Sequence, residues 1–187
     1  TGSNRLPAFA WKPAPVQVSW LGYLGTTGLD AMDYILADAW ALPTGEEDQF
    51  TETPWRLPES YICFSPPDST VEVGPLPALD KGYVTFGCFN NLNKITDEVV
   101  ACWARVLQAV PDGRLYLKTK SLEVPEARET LLASFARFGI APERLVIKGR
   151  FESHEAHFRA YHEVDIAVDP FPCPGITTTV EALWMGV

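Results

Sequence analysis

The chain has 187 residues, of which 47% are apolar and 12% aromatic, so it can build a hydrophobic core and is not a disordered chain. Its 15 Lys and Arg against 24 Asp and Glu give a net charge of −9, which argues against a nucleic-acid-binding surface and makes any phosphate site local. No apolar run reaches the roughly 20 residues of a membrane helix, and no leader peptide opens the sequence. We therefore expect a cytoplasmic globular protein that binds neither nucleic acid nor a membrane.

The four cysteines lie far apart in the sequence and form no Cys-x-x-Cys pair, which predicts neither a zinc knuckle nor a disulfide framework. We expect them to be buried and to behave as small hydrophobic residues. They are Cys63, Cys88, Cys102 and Cys173.

The first 80 residues are rich in proline and contain three predicted strands, at 16–21, 32–37 and 61–64. The first strand runs into a turn rich in Gly and Thr, residues 22–28. Open α/β sheets bind ligands at such strand ends, but a plain connector fits the pattern equally well. Residues 65–80 have few periodic apolar positions and are interpreted as a linker.

From residue 83 onward, strands alternate with amphipathic helices. This order implies right-handed crossovers and a parallel sheet, as in a Rossmann-like domain. The run from Thr177 to Val187 stops without a cap, so we expect a piece of a longer chain. The predicted strands are 83–89, 114–118, 145–148 and 165–168; the predicted helices are 96–110, 125–138, 153–162 and one from about residue 177.

Two loops in this region have the composition of phosphate sites. Lys94 follows the first strand and precedes a helix, so its charge and nearby backbone N–H groups can meet a phosphate, although a solvated lysine also fits. Gly175, Thr177 and Thr178 stand between a strand and a helix, where hydroxyl groups and free N–H groups can bind an oxyanion. Plain N-capping of the helix by Thr177 is an equal alternative.

All three histidines lie within nine residues. His154 and His157 are three apart on one helix face, which is one way to build a metal site, but His162 does not continue the spacing. No acidic residue or cysteine has ligand spacing either, so no metal site is predicted. A histidine that stacks on a base or ribose, or an exposed one, fits better.

Taken together, these segments resemble the catalytic region of the Spindly and O-GlcNAc transferase family, glycosyltransferase family 41. The resemblance covers nearly the whole chain. It is carried by Ala14-Pro-Val-Gln-Val-Ser-Trp-Leu-Gly-Tyr23, Gly25-Thr-Thr-Gly28, Met32-Asp-Tyr-Ile35, Phe89-Asn-Asn-Leu-Asn-Lys-Ile95, Gly175-Ile-Thr-Thr178, Leu183-Trp184 and His157.

The resemblance implies a two-lobed GT-B fold of the α/β class, with two Rossmann-like lobes and parallel sheets, both incomplete here. Residues 1–80 would be the carboxy-terminal part of the first lobe plus the linker. Residues 81–187 would be the nucleotide-sugar-binding lobe, truncated at its end.

The resemblance also implies roles for single residues. Lys94 would contact the donor diphosphate and act in catalysis. Asn91, together with Thr177 and Thr178 at the start of a helix, would help it to bind the diphosphate. His157 would pack by the nucleoside, with His154 nearby, and Glu181 would hydrogen-bond the ribose. The other donor-binding residues implied are Asn91, Gly175, Thr177 and Thr178.

The implied activity is inverting transfer of a sugar to Ser or Thr of an acceptor protein, with no cofactor besides the nucleotide-sugar substrate. UDP-GlcNAc is the leading donor. UDP-glucose and GDP-fucose stay open because Asn91, Ile176, Glu181 and Leu24 stand where O-GlcNAc transferases usually carry Gln, His, Asp and Pro.

Two further hypotheses remain. A sugar-nucleotide epimerase shares the architecture, but its carboxylates are not recognisable here. A non-catalytic module that binds nucleotide sugars or partner proteins would fit a chain that lacks part of a lobe, and we expect the isolated 187-residue chain to be inactive.

Overall fold

The computed structural model describes residues 5–68 and 70–187. The chain divides into two compact units, Thr1–Ser65 and Pro66–Val187. Their boundary falls inside the proline-rich segment. Within the described ranges, no helix has the length and apolar character needed to cross a membrane.

The first unit contains a parallel three-stranded sheet in the order β1-β2-β3. Its strands are β1 (Val18–Ser19), β2 (Tyr34–Ala37) and β3 (Thr53–Arg56). Among the described residues of this unit the only helical segments are two short 3-10 helices, Leu6–Trp11 before β1 and Glu47–Gln49 between β2 and β3. Ile35 and Ala37 of β2 are buried, which places the small core under the central strand.

The predicted strand at 61–64 is wrong, and β3 takes its place. The backbone groups of Tyr61 bind side chains instead of a neighbouring strand: its N–H donates to Asp38 Oδ2 at 2.9 Å, and its carbonyl accepts from Trp20 Nε1 at 2.9 Å. A segment whose backbone polar groups are satisfied by side chains has no need of a strand partner. The expectation that all four cysteines are buried holds only for Cys88: Cys63 is exposed, and Cys102 and Cys173 are half-buried.

The Gly- and Thr-rich turn of the first unit is held by one carboxylate. Thr27 donates its backbone N–H to Glu52 Oε1 at 2.7 Å and its hydroxyl to the same oxygen, and the Thr26 hydroxyl donates to Glu52 Oε2 at 2.9 Å. Burial raises the pKa of the Glu52 carboxyl, but these hydrogen bonds outweigh burial and hold that pKa below its usual value. The two hydroxyls are thus used inside the unit, which favours the connector interpretation of the turn.

The second unit is a parallel four-stranded sheet in the order β6-β5-β4-β7. The predicted parallel α/β organisation of this region is confirmed. Its strands are β4 (Thr85–Cys88), β5 (Arg114–Lys118), β6 (Leu145–Lys148) and β7 (Ile166–Ala167). Its helices are α1 (Pro77–Lys81), α2 (Asp97–Ala109), α3 (Pro125–Ala136), α4 (His154–Arg159) and α5 (Thr177–Trp184).

Several elements of this unit differ from the predictions; β4, α2 and α3 are each a few residues shorter than predicted. Helix α1 lies in the predicted linker, where Pro77 supplies a favourable first helical residue and Gly82 ends the helix at a φ of 72°. The predicted helix 153–162 is α4 followed by a 3-10 turn, Ala160–Glu163. Strand β7 is shorter than predicted because only Ile166 and Ala167 pair with β4.

Helices cover both faces of this sheet. Alternate residues of β5 show it: Leu115 and Leu117 are buried with α2 and α3, while Tyr116 is buried with residues from α4 and α5. A sheet buried on both sides leaves its two strand edges and its two strand ends as the places where polar side chains reach solvent. A ligand site is therefore expected at the carboxyl ends of β4 and β7.

A single arginine satisfies the carboxyl end of α2. Arg144 donates from Nε to Gly113 O at 2.9 Å and from Nη2 to Leu107 O and Val110 O at 2.8 and 2.7 Å. The last carbonyls of a helix have no partner within the helix, and a cation there also meets the negative end of the helix dipole.

Replacing this arginine should therefore loosen α2 and the neighbouring strand. We expect Arg144→Met to lower the local opening free energy by about 2 kcal/mol, because several charge-assisted hydrogen bonds are lost together. Hydrogen–deuterium exchange of peptides from α2 and β5 measures this. Arg105→Met removes an exposed arginine from the same helix and is the control; equal exchange in the two variants would contradict the prediction.

Candidate functional site

The site lies where the strand order of the second unit reverses. From β4 the chain proceeds outward to β5 and β6, and it returns to the other side of β4 with β7. Open parallel sheets bind ligands in the crevice outside the carboxyl ends of the strands at this switch point. The loops that leave β4 and β7 are the two loops that the sequence predicts to bind phosphate.

Lys94 joins the two loops directly. It lies in the short 3-10 turn Leu92–Lys94 after β4, and its Nζ donates to Pro174 O in the loop after β7 at 2.8 Å. The same ammonium donates to Asn90 Oδ1 at 3.2 Å. Two segments 80 positions apart in sequence thus meet at one cation.

Asp169, two residues after the end of β7, accepts hydrogen bonds from both loops. Its Oδ1 accepts from Asn90 Nδ2 at 2.9 Å and from the Gly175 N–H at 3.2 Å, and its Oδ2 accepts from the Thr179 hydroxyl at 2.8 Å. Asn90 is buried, so its amide is fixed on one side by this carboxylate and on the other by Lys94. A carboxylate that accepts three hydrogen bonds orders all the groups that donate to it.

The start of α5 leaves no room for a side chain at Gly175. A Cβ atom added there would lie 2.6 Å from the hydroxyl oxygens of Thr178 and Thr179 and 2.9 Å from Asn90 Nδ2. Glycine at this position is therefore a packing requirement.

One interpretation of the sequence was that Thr177 caps helix α5. This interpretation is wrong. Thr177 is the first helical residue of α5 and Ile176 occupies the N-cap without a side-chain hydrogen bond. An isoleucine cannot accept a hydrogen bond, so the first N–H groups of α5 are not capped by a side chain, whereas Thr96 and Ser153 cap α2 and α4.

A second cluster centres on His157 of α4. Its Nε2 lies 2.9 Å from Glu181 Oε2 of α5, and its Nδ1 lies 2.7 Å from the Nζ of Lys118 at the carboxyl end of β5. The imidazole is also in aromatic contact with Phe89 and Tyr161, at centroid distances of 5.7 and 5.5 Å. Three elements thus fix this ring.

Tyr161 connects the two clusters. Its hydroxyl lies 3.1 Å from Thr178 O and 3.2 Å from Glu181 Oε2. Burial, reinforced by the negative charge of Glu181, raises the pKa of the Tyr161 phenol far above its ordinary value. The phenol therefore stays protonated and serves as a hydrogen-bond donor. Among the described residues no group of three or more His, Cys, Asp and Glu side chains is arranged to hold a metal ion.

A model of the sequences of glycosyl transferase family 41 matches residues 1–64 and 75–187. The chain belongs to glycosyl transferase family 41. The membership expected from the sequence motifs is thereby confirmed.

Curated relatives match over the whole chain. The probable UDP-N-acetylglucosamine–peptide N-acetylglucosaminyltransferase SPINDLY of Solanum lycopersicum is 43% identical over 187 residues, and that of Arabidopsis thaliana is 42% identical. The alignment covers 100% of this chain and 20% of each relative. The chain thus spans about a fifth of the length of these relatives.

A solved structure of the family confirms the fold class. A lysine-to-methionine mutant of the O-GlcNAc transferase of Thermobaculum terrenum matches with a TM-score of 0.86 and 41% identity, covering 98% of this chain and 34% of that chain. The predicted α/β class with parallel sheets, of the GT-B type, holds for the family 41 chain.

The structure brings together most of the predicted site residues of this family 41 chain. Lys94 and Gly175 belong to the first cluster, and His157 and Glu181 belong to the second. Thr178 contacts Tyr161 through its carbonyl. Asn91 is exposed and its Oδ1 accepts from the Asn93 N–H at 3.0 Å, as the cap of a short turn. His154 is exposed at the start of α4, one turn away from His157.

Sequence reasoning missed four residues that organise these clusters, namely Asn90, Asp169, Lys118 and Tyr161. Three of them end a strand of the second unit or lie two residues beyond its end, where parallel sheets place functional groups. That position could have singled out Asp169, whereas a lysine that ends a strand usually points to solvent. Tyr161 gave no such indication, because its helical neighbours are ordinary core residues.

We expect Asp169→Ala to free the loop after β7. The Gly175 N–H and the side chains of Asn90 and Thr179 would lose their shared acceptor, so the backbone amides of residues 170–179 should exchange about tenfold faster, since tenfold corresponds to about 1.4 kcal/mol. Hydrogen–deuterium exchange measures this.

The exposed Asp112 offers a matched control as Asp112→Ala. Asp169→Asn keeps one acceptor oxygen and should fall between the two. Unaltered exchange in residues 170–179 of Asp169→Ala would contradict the role given to this carboxylate.

Proposed function

We propose that the chain forms the donor-binding region of an inverting glycosyltransferase that moves GlcNAc from UDP-GlcNAc to Ser or Thr of acceptor proteins. The observation that carries the proposal is the meeting of Lys94 with the loop that precedes α5, at the switch point of a parallel sheet. The relatives named above are described as UDP-N-acetylglucosamine–peptide N-acetylglucosaminyltransferases, which supports the donor and the acceptor class.

Transfer of the sugar requires positive charge beside the diphosphate of the donor. As the sugar leaves, negative charge grows on the departing diphosphate, and fixed donors aimed at that charge lower the barrier. In this proposal Lys94 supplies a full charge, while the N–H groups of Thr177 and Thr178 supply the positive end of a helix dipole. The proposed reaction uses no cofactor beyond the nucleotide sugar.

The second cluster would hold the nucleoside. Glu181 accepts from His157 and lies within hydrogen-bond distance of Tyr161 through Oε2 alone, and among the described residues its Oε1 has no hydrogen-bond partner. A carboxylate oxygen in this position can accept a ribose hydroxyl. The imidazole of His157, fixed at both nitrogens, can offer only its ring surface to a nucleoside.

The donor sugar needs a direct test, because Asn91, Ile176 and Glu181 differ from the residues usual in O-GlcNAc transferases. The intact protein would be incubated with a cell lysate and with UDP-GlcNAc, UDP-glucose or GDP-fucose in turn, followed by mass spectrometry of modified peptides. We expect modification by N-acetylhexosamine on Ser or Thr. Transfer of hexose or deoxyhexose would replace the proposed donor, and nucleotide binding without any transfer would indicate a non-catalytic module.

Lys94→Ala should reduce turnover much more than it reduces nucleotide binding. The diphosphate carries more negative charge in the transition state than in the bound donor, so we expect kcat to fall about a hundredfold while the affinity for UDP changes by less than about tenfold. Turnover assays and calorimetry with UDP on the intact protein measure the two effects.

Lys148→Ala is the matched control, because Lys148 is an exposed lysine at the end of β6, two strands away from β4 in the same sheet. It should leave both quantities unchanged. Unchanged turnover and unchanged affinity in Lys94→Ala would remove the assignment of this site.

A further inference from the structure

Lys118 is a second cation at the carboxyl edge of the sheet, on the strand next to β4. Its ammonium lies 5.6 and 5.4 Å from the ring centroids of Phe89 and Phe151, within the range of cation–π contacts. Burial lowers the pKa of this ammonium, and Glu181 opposes that shift. A half-buried lysine between two aromatic rings is held in place rather than solvated.

The neighbours of the two ring nitrogens of His157 determine which of them carries the proton. An ammonium group only donates hydrogen bonds, so the Nδ1 atom at 2.7 Å must accept. In a neutral imidazole the proton is then on Nε2, which donates to Glu181 Oε2 at 2.9 Å. A carboxylate only accepts, so the neighbours at both nitrogens require the same tautomer.

This chain of hydrogen bonds also orients Glu181. Its Oε2 is directed toward His157 and Tyr161, and its Oε1 is the oxygen without a hydrogen-bond partner in the part of the chain that the structure describes. If His157 carried its proton on Nδ1 instead, a lone pair on Nε2 would face Oε2, and two acceptors at hydrogen-bond distance repel each other. Glu181 would then lose the partner that fixes its carboxylate.

We propose that Lys118 is a positioning residue of the donor site: together with Glu181 it holds His157 in the Nε2–H tautomer and fixes the ring, and the ring in turn directs Glu181 toward the ribose of a nucleoside diphosphate. The inference rests on the proposed function. It assigns Lys118 to the nucleoside end of the donor, where Lys118 acts through His157 and Glu181 and does not contact the ligand itself. Of the two lysines, Lys94 alone would neutralise the charge on the diphosphate. The two lysines should therefore have opposite kinetic signatures.

The first test measures the affinity for UDP, with GDP as a second probe, by calorimetry on the intact protein. Lys118→Met keeps the length of the side chain and removes its donors, and we expect Kd to rise about tenfold, as for the loss of one charge-assisted hydrogen bond. At saturating donor, kcat should stay within about twofold. Lys118→Arg retains a donor and should recover most of the affinity.

Lys148→Met is the matched control, because Lys148 pairs in register with Lys118 on the adjacent strand and is exposed. It removes the same charge from the same edge of the sheet and should leave Kd unchanged. An equal loss in Lys148→Met would mean that Lys118 acts through its charge alone and would overturn the inference.

The split between binding and turnover provides a readout that a merely structural role would not change. Lys118→Met should weaken UDP binding without slowing turnover at saturating donor, and the conservative Lys118→Arg should restore the binding.

The charged and titratable groups around His157 are Lys118 on β5, Glu181 on α5 and Tyr161 after α4, with Arg150 after β6 acting on Lys118. Only the first of these is altered in the variant. A Lys118→Met protein that binds UDP as well as the unmodified one overturns the inference and leaves the proposed function standing. Failure of the unmodified protein to bind either nucleotide overturns both.

Discussion

The carboxylate of Asp169 is the interaction on which the site depends. Its two oxygens collect donors from the loop after β4 and from the start of α5, and Asn90, one of those donors, lies 79 positions earlier in the sequence. The adjacency of β4 and β7 brings these segments close, but adjacency alone does not set the orientation of a loop. A buried amide shared between Asp169 and Lys94 does, because the Asn90 Nδ2 donates to the carboxylate and the Oδ1 accepts from the ammonium.

The regular part of the fold was predictable because it depends on patterns within single elements. Strands 114–118 and 145–148 have the predicted bounds, since both are short apolar runs between turn residues. The first unit was predicted less well. Strand β3 contains Pro54, which argues against a strand, and 61–64 has the composition of a strand but uses its backbone groups elsewhere. Such tertiary hydrogen bonds are not visible in local sequence.

The site divides in the same way. Lys94 and Gly175 were predictable, because a lysine or a glycine between a strand and a helix has a direct physical meaning there. Lys118 was not, because a lysine that ends a strand usually points to solvent, and only the fold shows that His157 of α4 lies against it. The contacts among Lys118, His157 and Glu181 therefore depend on how β5, α4 and α5 pack together. The spacing of these residues in the sequence does not reveal that packing.

The contact of Lys94 with Pro174 has a consequence for how the family can vary. The acceptor is a carbonyl of the main chain, which every amino acid carries, so the identity of the residue at that position does not matter to the ammonium. A substitution at position 174 would therefore leave the acceptor of the Lys94 ammonium in place. The two loops can keep this hydrogen bond while the side chain that faces solvent beside it changes.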